Sequence, residues 1–434
     1  MPTPSLLIVP ARFKTGKLYS QIPTSGAGDF TVTRNTAARR FDSAGLVASV
    51  ASGIPRLDYY TSGGVTGCPA LLVEPAATNL CLQSENFGTT WSRTRINAFG
   101  SGSVLNTTAT LDPFGTNLAD YIQEDTSASD THRINQDIAI TSGTTYTYTC
   151  FIKSAERFQA ALYLFIGGTE RYGVFNTNAG TATANNATVG IDNFGNGWYR
   201  CRVTFTATAS VTQNFRILIC DDSGNLSYTG TGTKGIYVVG AQLETGSVAT
   251  SYIPTTTGTG SRSADVISVS GAVSGSIGQT EGTIYMEVAV YSANKELFSI
   301  SSGGVNGEAI RIQTNSDGKL GAIALVSNSQ VITTSSINAL NFGQFYKVAF
   351  AYKLNDYTLY IDGVVQTLTD VTGGVPVNMN KLAFARPNDS FIQDQRVRAL
   401  ALYTTRLTNA QLEFLTSPYT SYSQMATTLS YTIL

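Results

Sequence analysis

Apolar and polar residues alternate with a period of two over much of the chain, the signature of half-buried β-strands. Tyr146, Tyr148, Cys150 and Ile152 alternate with Thr145, Thr147, Thr149 and Phe151. Tyr199, Cys201, Val203 and Phe205 alternate with Arg200, Arg202 and Thr204, and Phe215, Ile217 and Ile219 with Arg216 and Leu218. Ile236 to Val239 predicts a further strand, and Asn193 to Gly197 a turn. A second run begins with Ile284, Met286, Val288 and Val290, continues with Tyr346, Val348, Phe350 and Tyr352, and closes with Arg396 to Tyr403. Between them, Tyr357 to Gln366 predicts a hairpin, with Asp362-Gly363 supplying the positive φ angles of a type I′ turn. The one clear helix signal comes late. Thr408 and Gln411 have capping-box spacing, with Leu407 and Leu412 placed as a hydrophobic staple. The expected fold is therefore all-β: an extended N-terminal arm, then two antiparallel β-sandwich (jelly-roll) domains with little helix.

Punctuation sets the boundaries. Residues 1–77 hold only short apolar pieces broken by Gly and Pro, and predict an arm that leans on a neighbouring surface. Residues 78–254 form the first sandwich and 255–262 a Thr/Gly/Ser linker. Residues 263–417 form the second sandwich, and 418–434 a polar, Tyr-containing tail.

Composition narrows the function classes. Charged residues make up 13% of the chain, about half the usual share. The net charge is −1 with no basic block, which argues against nucleic-acid binding. No run approaches a membrane span, so no membrane insertion is expected. Ser5 to Val9 is too short for an export signal and is stopped by Pro10. The five cysteines show no CxxC pair and predict reduced, buried thiols, as in a cytoplasmically assembled protein.

Candidate chemistry is sparse. His132, the single histidine, sits between Thr131 and Arg133 with no nucleophile motif, and reads as a surface-loop residue. No catalytic set is expected. Glu287, Glu308 and Asp317 would have to converge across a cleft to act as a glycosidase pair. Asp221-Asp222, Asp120 with Glu124-Asp125, and Asp389 with Asp394 could supply oxygens to a structural calcium, but no complete ligand motif is present. Sugar stacking on exposed aromatic faces is the remaining option, with Trp91, Trp198, Tyr163, Tyr172 and Tyr228 as candidates by type, against core packing as the ordinary role of such rings.

A series of short motifs occurs in order: Leu18-Tyr19-Ser20, Gly28-Asp29-Phe30, Thr33-Arg34-Asn35-Thr36, Pro55-Arg56-Leu57-Asp58-Tyr59, Cys68-Pro69-Ala70-Leu71-Leu72-Val73-Glu74-Pro75, Ala77-Thr78-Asn79-Leu80 and Ser84-Glu85-Asn86-Phe87. Ala241-Gln242-Leu243-Glu244, Ser251-Tyr252-Ile253-Pro254-Thr255, Arg262 and Ala264-Asp265 follow. Together they resemble tailed-bacteriophage virion surface proteins of head-fibre, head-spike or tail-fibre type. In these a carbohydrate-binding-module-like jelly roll joins a concanavalin A/laminin-G-like sandwich. The resemblance implies a structural protein on the virion surface, anchored by its arm to capsid or tail proteins. It also implies a homo-oligomer (trimer or dimer) assembled in the bacterial host cytoplasm, contacting host or mucosal glycans. The alternatives are a non-virion lectin-like protein and, behind it, a polysaccharide depolymerase.

Overall fold

The structure is a computed structural model that describes residues 1–60, 66–97, 105–106, 110–304, 307–366 and 373–417. Among these the fold is all-β, built of antiparallel ladders with one short 3-10 turn and one α-helix. The tail expected at 418–434 lies outside the described residues.

The first sandwich faces one six-stranded sheet against another. The first sheet runs Ser92–Thr94, His132–Ile140, Val211–Ile219, Gln159–Ile166, Thr169–Asn176, Thr181–Asn185. The second runs Leu105–Asn106, Asp120–Gln123, Gly235–Thr245, Thr145–Ser154, Trp198–Thr206, Thr188–Asn193. The alternation in sequence becomes the interior: Tyr148, Cys150, Ile152, Val203, Phe215, Ile217 and Ile219 meet in one core. The Thr145–Ser154 and Trp198–Thr206 strands align Cys150 opposite Cys201, yet all five cysteines are free thiols. The sheets keep open edges, so hydrogen bonding closes no barrel among the described residues.

The second sandwich pairs an eight-stranded sheet with a nine-stranded one over a single large core. At the hairpin, Asp362 (φ 48°) and Gly363 (φ 79°) both take the left-handed conformation that a type I′ turn requires. The helix Asn409–Thr416 carries the full reciprocal capping box of Thr408 and Gln411, and it buries Leu412 on the outer face of the eight-stranded sheet beside Tyr285, Tyr360 and Tyr403.

The N-terminal region is where sequence expectation and structure differ most. The segment expected as an arm does lean on a neighbour, and that neighbour is the chain's own second sandwich. Leu6–Ile8 and Thr66–Val73 pair with Gln395–Tyr403, and Phe30–Thr33 pairs with Val266–Ser270. Leu6, Ile8, Leu18, Phe30, Val32, Leu71 and Val73 are buried in its core. The physical reason is that strands of two to eight residues, too short to bury a core alone, complete the sheets of a distant segment.

Residues 255–262 are likewise not a loose linker. The chain crosses between the sandwiches at Ala77–Asn79 and at Gly260–Arg262, and the two crossings hydrogen-bond to each other antiparallel. Around this seam lies a buried ionic hub. Arg56 Nη1 donates to Glu74 Oε2 at 2.6 Å, and Arg56 Nη2 donates to Asp265. Arg34 Nη1 donates to the other Asp265 oxygen at 2.9 Å, and Arg262 lies 2.9 Å from Glu74. Burial alone would lower the Arg56 pKa, but the charges of Asp265 and Glu74 overturn that and raise it. Burial would likewise raise Glu74, and Arg262 and Arg56 reverse the shift to hold it well below the carboxylate range. These five residues come from the quoted motif series. The motifs therefore encode the weld between arm, seam and second sandwich.

Candidate functional site

The two sheets of the first sandwich differ on their outer faces. Outside the Thr145–Ser154 sheet, Phe151, Trp198, Val239 and Tyr252 are covered by Phe41 and Val47 from the N-terminal hairpin Ala38–Phe41/Val47–Val50. The outer face of the opposite sheet carries polar and aromatic residues. Register places them: Asn135 lies opposite Arg216, Arg216 opposite Tyr163, Tyr163 opposite Tyr172, and Tyr172 opposite Asn185. The neighbouring row adds Arg133 opposite Leu218, and the next adds Asp137 opposite Asn214. Because strand residues alternate faces, these side chains share one surface while Ile134, Phe215, Ile217 and Leu162 point into the core.

The face has a defined local geometry. Tyr163 and Tyr172 stack with ring centroids 5.7 Å apart and planes at 21°. The Arg216 guanidinium lies 4.9 Å over the Tyr163 ring and its Nε donates to Asn214 Oδ1 at 2.7 Å. Asn214 Nδ2 in turn donates to Asp137 Oδ1 at 2.6 Å. The Tyr163 hydroxyl donates to Glu170 Oε1 at 3.0 Å, and burial together with that carboxylate pushes its pKa up to about 12, so it stays protonated. Tyr163 is thus a buried floor, while Tyr172, Arg133, Arg216, Asn214 and Asn185 are half-exposed above and beside it, and Phe165 at the rim is exposed.

Of the five aromatics expected as sugar contacts, the structure brings Tyr163 and Tyr172 together here. The others lie in core positions. Trp91 is buried with Nε1 donating to Leu82 O at 3.0 Å, and Trp198 is buried with Nε1 donating to Leu111 O at 2.8 Å. Tyr228 is buried under the Arg157 guanidinium and donates to Glu124 Oε2 at 2.6 Å. Their indole and phenol groups meet the rule that buried polar tips find partners, which leaves no ring face open. Arg133, Arg216 and Asn214 were not singled out from the sequence. The signal was present in the polar positions of alternating strands, but which polar residues become neighbours depends on register.

His132 also departs from expectation. It is not in a surface loop but fully buried at the start of the His132–Ile140 strand, with Nδ1 2.8 Å from Arg95 O and its ring against Tyr228. Its polar neighbours in sequence, Thr131 and Arg133, take the opposite face of the strand, which is why the stretch reads as exposed. The carboxylates weighed as catalytic are held apart in separate settings. Glu287 lies 3.3 Å from Arg398, Glu308 accepts from Ser327 N and Val377 N, and Asp317 lies 3.3 Å from Lys319.

Several of the acidic groups weighed for calcium are engaged otherwise, while buried Asp120 accepts only from Phe87 N among the described residues. Asp221 accepts from Ser223 N and Asn225 N, Glu124 from Arg157 and Thr231, and Asp389 from Lys381. Among the described residues no three His, Cys, Asp or Glu side chains gather as metal ligands do. A cavity of about 240 Å³ opens at the seam beside Thr36, Arg39, Tyr252 and Arg262. It is smaller than the usual small-molecule site.

No family model matches the chain, and no curated protein does. Parts of it are similar to solved β-structures. A heptameric SAP-like pentraxin from Limulus polyphemus aligns at TM-score 0.27 and 17% identity over 32% of this chain and 70% of that one. A sialidase CBM40 from Ruminococcus gnavus bound to α2,3-sialyllactose aligns at TM-score 0.28 and 15% identity over 32% of this chain and 84% of that one. A NanB sialidase mutant from Streptococcus pneumoniae aligns at TM-score 0.30 and 15% identity over 35% and 27%. Likenesses this loose say nothing of what the chain binds.

Proposed function

We propose that the chain is a glycan-binding β-sandwich protein without catalysis of its own, and that it meets sugar on the outer face built by Tyr163, Tyr172, Arg216, Asn214 and Asn185. The observation that carries the reading is the stacked tyrosine pair set among half-exposed hydrogen-bonding side chains on a sheet face. A pyranose presents an apolar C–H face and a rim of hydroxyls. Tyr172 offers the complement of the first, and the amides of Asn214 and Asn185 the complement of the second. The test is a glycan array probed with the full chain and with Tyr172→Ala. Binding to a defined set of glycans that drops about tenfold in the variant, a loss of order 1 kcal/mol, supports the site. An array with no bound glycan sinks the reading.

The finer reading places this module on the surface of a tailed-phage particle, with capsid or tail proteins and further copies of itself as partners. What supports it is the ordered motif series and its resemblance to such proteins. Residues 1–77 complete the second sandwich, so the experiment needs the full chain. It is mixed with particles lacking the protein and sedimented. Failure to pellet with the particles counts against the virion reading and leaves the glycan reading standing.

A further inference from the structure

The outer face of the first sandwich also carries an imbalance of charge. Arg133 and Arg216 come from adjacent antiparallel strands. Arg133 is opposite Leu218, two positions from Arg216 on the same face, which makes the two arginines diagonal neighbours. Burial lowers the Arg133 pKa most, and the positive charge of Arg216 lowers it further. A folded protein ordinarily relieves such a pair with a carboxylate. Here no carboxylate forms an ion pair with either arginine among the described residues: Asp130 lies 3.1 Å from Arg95, its charge also reaching Arg133, while Asp137 accepts from Asn214 and Glu170 from Tyr163.

The arginines' own contacts leave donors over. Arg216 uses Nε on Asn214 and lays its plane on Tyr163, while Arg133 Nη1 donates to Thr131. Arg133 Nε is buried and finds no acceptor among the described residues. Arg34, Arg56, Arg262 and Arg157 in the interior each meet a carboxylate, whereas buried Arg200 is held by Thr250 O and Thr149 Oγ1.

We propose that the Arg133–Arg216 pair is the subsite for a carboxylate-bearing sugar, a sialic or uronic acid residue, bound with its ring beside Tyr172. This deepens the glycan reading above and rests on it. A planar carboxylate matches the fork of a guanidinium in two parallel hydrogen bonds, and it supplies the negative charge that the pair lacks. Stacking of Arg216 on Tyr163 fixes the fork before the ligand arrives, which limits the ordering cost of binding. The site is half-exposed, so its affinity falls as ionic strength rises.

The test measures binding of the full wild-type chain to one oligosaccharide in four forms: carboxylate free, carboxylate methyl-esterified, acidic sugar removed, and acidic sugar replaced by a sulfated neutral sugar. The free acid is expected to bind about tenfold or more tighter than the ester. In Arg133→Gln/Arg216→Gln the ratio of acid to ester affinity is expected to fall to about one. Equal affinity for acid and ester overturns the carboxylate subsite and leaves the glycan reading intact. Tighter binding of the sulfated form overturns the choice of carboxylate. Absence of binding to all four forms removes both readings. The acid-against-ester comparison uses the wild-type chain, so it holds even where the double variant fails to fold.

Discussion

Two clusters in this molecule are built from arginines, and they have opposite fates. At the seam, Arg34, Arg56 and Arg262 are buried and meet Asp265 and Glu74 in a network that spans three segments of the chain. On the face of the first sandwich, Arg133 and Arg216 are half-exposed, lie beside each other and meet no carboxylate among the described residues. A buried charge without its counter-charge is strongly destabilising, so the seam must be complete in every folded molecule. An exposed cation is stabilised by water and can wait for a partner from outside. The same residue type thus marks architecture in one place and recognition in the other, and burial with pairing tells them apart.

The largest effect should come from breaking the seam. Arg56→Ala leaves Glu74 and Asp265 with a buried partner missing, and a loss of about 3–5 kcal/mol is expected, seen as a large drop in the denaturant midpoint or failure to fold. A cost below about 1 kcal/mol would mean the hub is not what welds the arm to the sandwiches.

Next in size is a pH effect at a carboxylate with no cation. Asp120 is buried, accepts from Phe87 N at 2.8 Å, and is pushed up to about 7 by burial. Between its ordinary value of 3.8 and 7, the folded chain holds a proton that the unfolded chain has lost. Stability from this group is therefore full below the ordinary value, falls as pH rises towards 7, and is flat above. Asp120→Asn should flatten that decline, a difference on the order of 2–4 kcal/mol across the window at about 1.4 kcal/mol per unit. Glu74, held low by Arg262 and Arg56, acts in the opposite sense and loses its contribution in acid, below the ordinary carboxylate range. Unfolding curves of wild type and variant across the pH range separate the two; parallel curves would remove Asp120 from the account.

What could be read from the sequence was local. The Tyr199–Phe205 alternation, the Asp362-Gly363 turn and the Thr408/Gln411 box each need only a few consecutive residues and have their expected form, whereas the Tyr146–Ile152 strand is a strand as expected but buried on both faces. What could not be read depends on partners far along the chain. Leu6–Ile8 looks like a fragment until it pairs with Leu400 to Leu402. His132 looks exposed until the opposite strand face is known. Tyr163 and Tyr172 were named by residue type, along with three aromatics that pack inside; register then selected the pair and added Arg133, Arg216 and Asn214. Local pattern specifies strands, whereas a face is a property of several strands in register.

A smaller effect calibrates the scale between the two clusters. Thr408 accepts from Gln411 N at the start of the terminal helix, and its replacement by Ala should cost about 1 kcal/mol in denaturant unfolding. No change at all would show that the capping box adds nothing to a helix already held by Leu412.

The smallest stability change is expected where the binding change is largest. In Arg133→Gln/Arg216→Gln two terms oppose each other. Losing the cation over Tyr163 costs about 0.5–1 kcal/mol at a half-exposed site. Removing the buried Arg133 charge and its repulsion by Arg216 acts in the opposite direction. The net change in unfolding free energy should stay within about 0.5 kcal/mol, the range of ordinary surface substitutions. A loss of several kcal/mol would place the pair with Arg56 as part of the architecture, and the contrast between a paired seam and an open face would no longer hold. Unchanged stability together with lost preference for the acidic sugar is the outcome that only a recognition role produces.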